Sequence, residues 1–124
     1  KNLKPKVQYL RGLGMKDMGA IISKFPQIFN LSIEDNLEPT IHYLVDHCNV
    51  EVQYLENFPS LIGYSLDKRI KPRHQYLESK GIHVGTDVNV ATMLRPSDKG
   101  FMKTAKSEYS DWMRFKEQYV RSSA

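Results

Sequence analysis

A block of about 33 residues recurs along this chain, and that recurrence restricts the fold more than any single motif does. Phe25-Pro26, Ser32, Leu37, Pro39, Tyr43 and Leu44 return as Phe58-Pro59, Ser65, Ile70, Pro72, Tyr76 and Leu77. Pro5, Tyr9 and Leu10 begin the same series one period earlier. Fixed self-similarity of this length is the mark of a stacked repeat, in which function sits on an extended surface and not in a pocket.

Within one block, Ile33, Leu37, Ile41 and Leu44 fall at spacings of four, four and three, tracing one face of a helix. Ser32 precedes this stretch as an N-cap, and Glu34 and Asp35 suit the positive end of the helix dipole. Ser65, Leu66, Ile70, His74 and Leu77 repeat the arrangement. Gly14, Asn49 and Gly81 follow as residues able to take the left-handed conformation that ends a helix. Pro39 and Pro72 lie inside these first helices, where a proline costs about 3 kcal/mol. Its recurrence predicts a kink that bends the array, with two helices broken at the proline as the alternative.

A shorter second helix is predicted over 17–25, with Met18, Ile21, Ile22 and Phe25 inward, and over 51–58, with Val52, Leu55 and Phe58 inward. Pro26 and Pro59 stop these helices, and the apolar residues after them suit a 3₁₀ turn. The third block departs from the pattern, with a longer loop from His83 to Asp87, a short helix over 88–94 ending at Pro96, and Ser97 immediately after. Ser97 is predicted to cap the approach to a final helix from about Phe101 to Val120, an atypical unit that closes the exposed end. The boundaries are thus one domain of three units, about 1–31, 32–64 and 65–96, with a capping helix over about 97–121.

At these residues the chain resembles the mitochondrial transcription termination factor (mTERF) family, and the final block resembles the C-terminal end of its plant members. The period alone also fits tetratricopeptide, pentatricopeptide and ankyrin arrays, but internal prolines and a Phe-Pro stop do not suit the tetratricopeptide or ankyrin patterns. The resemblance implies an all-α helical-repeat solenoid with two α-helices and a 3₁₀ turn per unit. It also implies a mitochondrial or chloroplast protein that binds double-stranded DNA or RNA in transcription termination, transcription regulation or RNA processing. A transit peptide would then precede the segment, and the chain is read as the C-terminal part of a longer array.

Charge is segregated. Residues 1–31 carry six Lys or Arg and one Asp, residues 32–65 carry six acidic residues and no Lys or Arg, and residues 66–124 carry twelve basic and seven acidic residues. The balances of +5, −6 and +5 make the net +4. A polyanion would favour the first and third units. Lys68, Arg69, Lys71 and Arg73 are the densest group and the main phosphate-contact candidates, with Arg73 nearer the apolar face and more suited to bonding carbonyls or a carboxylate. Lys4, Lys6 and Arg11 form a more scattered N-terminal set. The aromatic C-terminal segment, including Trp112, supports a competing reading as an interaction scaffold that recruits an enzyme or ribonucleoprotein partner.

No metal, cofactor or catalytic constellation is expected. His42, His47, His74 and His83 contain no i, i+4 pair, and Cys48 stands alone as a small buried hydrophobe. No run approaches the roughly 20 apolar residues of a membrane span.

Overall fold

A computed structural model describes residues 2–123. Its elements fall into two compact units, residues 1–64 and 65–124.

The first unit holds α1 (Lys4–Gly12), α2 (Met18–Lys24), α3 (Glu38–His47) and α4 (Val52–Asn57), with 3₁₀ turns at Pro26–Asn30 and Pro59–Gly63. Asp17 caps α2 through its side chain, and Phe25 and Phe58 end α2 and α4 in non-helical conformations just ahead of the prolines. The core gathers Leu10, Ile21, Ile28, Leu37, Ile41, Leu44, Leu55 and Leu61. Repeat packs on repeat here: α2 lies on α4, and the two 3₁₀ turns lie against each other. A Cβ on Gly63 would come within 2.6 Å of Phe25 Cζ, so the second 3₁₀ turn needs glycine at the point where that ring seats. Ile22 and Phe58, predicted to point inward, are exposed. These helices are too short to bury more than one narrow stripe.

The internal prolines do not break the helices. Ser32 accepts from the Asp35 amide, and the backbone then runs as one π turn, Ile33–Leu37, straight into α3. The amides of Leu37 and Glu38 reach back five residues, to Ser32 and Ile33. Pro39 therefore enters at the first turn of α3, and the widened turn relieves the crowding a proline ring imposes on the carbonyl four residues earlier. Ser65, Leu66–Ile70 and Pro72 repeat the device. Asn49, Gly14 and Gly81 all adopt positive φ, of 58°, 105° and 75°, as their places after the first helices require.

The second unit holds α5 (Lys71–Ser79), α6 (Val90–Leu94), α7 (Asp98–Ala105) and α8 (Tyr109–Ser123). Asn89 caps α6 and Ser97 caps α7. The predicted single final helix is two, because Lys106 takes a left-handed conformation, φ 53°, and turns the chain between α7 and α8. The reversal folds Trp112 back on Phe101 and Tyr76, at 5.0 and 4.9 Å between ring centroids, and leaves Trp112 only 1% exposed.

Candidate nucleic-acid interface

The cations of the 68–73 stretch divide by what they touch. Arg73 is 1% exposed. Its guanidinium donates to the carbonyls of Met93 (2.9 Å), Leu94 (3.5 Å) and Pro96 (2.8 Å) and to Asp98 Oδ1 (3.2 Å), and it lies 4.6 Å over the Phe101 ring. It holds the α6–α7 turn, as its place near the apolar face anticipated, and it is not available to a phosphate. Arg69 works beside it, donating from Nε to Leu94 O at 2.9 Å and from Nη2 to Pro96 O at 2.7 Å. Lys71 is half-buried and paired with Asp67 at 3.6 Å. Lys68 faces solvent.

The N-terminal candidates divide in the same way. Lys4 and Arg11 are exposed, whereas Lys6 is partly buried and its Nζ donates to the carbonyl of Phe29. The separation from Lys6 to Phe29 is the same 23 residues as from Arg73 to Pro96. Lys6, Thr40 and Arg73 stand one repeat apart, each directly after the proline by one residue, and Thr40 is buried as well. This register faces inward in every block. A cation there ties the first helix of a block to the turn that follows the second. Sequence reasoning missed the role of Lys6, although the phase of the repeat carried the signal.

Asp98 is the second centre of the unit. Besides Arg73 it accepts from Trp112 Nε1 at 3.1 Å and from Lys116 Nζ at 3.1 Å. Burial opposes its ionisation, but the hydrogen bonds from Lys116 and Trp112, with the charges of Lys116 and Arg73, prevail and hold the carboxyl below its ordinary value. Asp111 gathers Lys80 at 2.7 Å and the Tyr76 hydroxyl at 2.7 Å, and Ser107 also bonds that hydroxyl. Burial is the main cause that pushes the Tyr76 phenol up, so it serves as a neutral donor. Both carboxylates thereby brace α8 against α5 and α7.

The described residues thus form an all-α helical-repeat protein in which Arg73 is buried within the fold and Lys4, Arg11 and Lys68 are exposed. The mTERF family model matches residues 1–102, and the chain belongs to that family. Among curated proteins it is 35% identical over 94 residues to the chloroplastic transcription termination factor MTERF8 of Arabidopsis thaliana, covering 76% of this chain and 18% of that protein. It is 32% identical over 76 residues to chloroplastic MTERF5 of the same plant, covering 60% and 15%. Against mitochondrial MTERF15, also from Arabidopsis thaliana, it is 31% identical over 93 residues, covering 73% and 20%. The chain spans a fifth or less of the length of each of these relatives. No solved structure gives a significant match. Among the described residues no helix is long and apolar enough to cross a membrane.

Proposed function

We propose that the chain is the nucleic-acid-binding repeat segment of an organellar, mitochondrial or chloroplast, gene-expression factor of the transcription termination class. One domain of three repeat units, about 1–31, 32–64 and 65–96, with its closing segment to about 121, would carry the binding cations. The observation that carries this reading is the division of charge. Arg69, Arg73 and Lys6 are bonded within the fold, and Lys4, Arg11 and Lys68 remain as outward cations on the two basic blocks. Outward cations on a repeat surface neutralise phosphates and release counterions, giving sequence-independent affinity. Family membership and the names of the relatives point the same way. The acidic block 32–65 would contribute least.

The test is a fluorescence-anisotropy titration of labelled duplex DNA and single-stranded RNA at low and physiological salt. Steep salt dependence, weakened by charge reversal of Lys4, Arg11 and Lys68, supports the reading. Absence of binding at low salt refutes it for this segment.

A protein partner is the second reading, favoured by the outer face of α8. Tyr109, Met113 and Val120 are 52%, 41% and 66% exposed there. Trp112, the anchor first considered for such a partner, is buried and cannot serve. Association that is insensitive to salt and lost on Met113→Asp would favour this second reading.

A further inference from the structure

We propose that the solvent face of α7, formed by Lys99 and Lys103 with Lys106 at the end of the helix, is the principal phosphate-backbone contact of the second unit. The inference rests on the nucleic-acid reading above and gives it a location in the segment that closes the chain.

The face follows from the way α7 packs. Phe101, Met102 and Ala105 point into the core, and Lys99 and Lys103, four residues apart, lie together on the exposed side. Lys106 adds a third exposed cation one turn on. With a rise of 1.5 Å per residue the row is about 10 Å long, and duplex DNA carries one charge per about 1.7 Å of its axis. Several phosphates therefore lie within reach.

These three lysines share with Lys68 the lack of an internal partner among the described residues. Arg69, Arg73, Lys71, Lys80, Arg114, Lys116 and Arg121 all bond to a carbonyl or a carboxylate. Among the described residues, the ammonium groups of Lys99, Lys103 and Lys106 make no ion pair and no hydrogen bond. Asp98, their acidic neighbour, spends its oxygens on Arg73, Trp112 and Lys116.

Two of the three are also badly placed for stability. Lys99 lies in the first turn of α7, at the positive end of the helix dipole and one turn from a like charge. Lys106 occupies a left-handed position that glycine or asparagine fills more easily. Exposed charges that make no ion pair inside the fold are available to an external polyanion.

The experiment compares the full chain with Lys99→Gln, Lys103→Gln, Lys106→Asn, in which asparagine preserves the left-handed turn. Trp112 fluorescence, which reports folding of the second unit, should be unchanged. On duplex DNA, loss of three contacts should flatten the plot of log K against log salt by about 2.7, at about 0.9 per phosphate. Between about 50 and 200 mM salt the unaltered chain should then lose about 40-fold more affinity than the variant. On single-stranded RNA the flattening should be about 2. Lys99→Arg, Lys103→Arg should keep the original slope. Salt-dependent binding with an unchanged slope in the triple variant overturns this inference and leaves the functional reading standing. No binding by the unaltered chain at low salt overturns both.

Discussion

Replacing Arg73 should unfold the second unit at temperatures where the native unit is intact. The guanidinium is 1% exposed and serves three carbonyls, those of Met93, Leu94 and Pro96, together with Asp98. In Arg73→Ala those acceptors lose a charged donor in a place water does not freely reach, and Phe101 loses the group stacked on it. Removing one partner of a fully buried charged pair costs about 3–5 kcal/mol, and the 38% exposure of the Asp98 side chain moderates that cost here. Asp98 keeps Trp112 and Lys116, which favours the lower part of that range. For a unit of this size, about 3 kcal/mol lowers the melting midpoint by at least about 12 °C. Trp112 is the only tryptophan of the chain and is buried in the same unit, so its emission during a thermal melt reports this event directly. Arg73→Lys keeps the charge but not the fork, and its midpoint should fall between the two. A shift under about 5 °C for the alanine variant, equivalent to roughly 1 kcal/mol, would refute the account of Arg73 as the clamp of the α6–α7 turn.

Other consequences can be checked with the same reagents. Arg69→Ala should destabilise the second unit by about 1–3 kcal/mol through its two carbonyl bonds, while Lys68→Ala stays within about 0.5 kcal/mol, both measured by urea denaturation. Gly63→Ala forces a methyl toward Phe25 and should cost about 1–3 kcal/mol; the loss should shrink in a Phe25→Leu background. Asn49→Gly should be tolerated at its positive φ, whereas Asn49→Val should cost about 1–2 kcal/mol. Because the folded Asp98 carboxyl lies below its unfolded value, its contribution is present above the unfolded value, near 3.9, and is lost as pH falls through the folded value. Trp112-monitored stability should therefore decline on acidification below about pH 4, and less steeply in Asp98→Asn.

The repeat, its caps and its prolines were legible because each is a local choice made twice or more. Ser32 and Ser65 cap as read, Asn49 takes the glycine conformation its position demanded, and the 3₁₀ turns follow Pro26 and Pro59. The π turns were not legible. Nothing in residue type separates a helix that kinks at a proline from one that widens a turn ahead of it. The break between α7 and α8 was hidden for the opposite reason, since Lys106 is no turn former, and burial of Trp112 against Tyr76 and Phe101 favours the reversal over local propensity. Exposure of Ile22 and Phe58 shows the limit of periodicity in a helix of six or seven residues.

The cations of the dense 68–73 stretch serve different ends: Arg69 and Arg73 bond within the fold, Lys71 pairs with Asp67, and Lys68 faces solvent. The register that holds Arg73 also holds Lys6, and both cations reach a carbonyl 23 residues further on. A basic residue one place beyond the proline is therefore read first as part of the fold. Thr40 fills that register in the acidic block, where a short side chain is buried without a charge to neutralise. In the reading proposed above, phosphate contact falls to cations outside that register: Lys4, Arg11 and Lys68, with Lys99, Lys103 and Lys106 in the segment that closes the last block. The three closing lysines lie outside the repeat, so its phase does not mark them, and the sequence shows them only as part of a basic C-terminal segment. Their lack of internal partners, visible only once the chain is folded, is what distinguishes them.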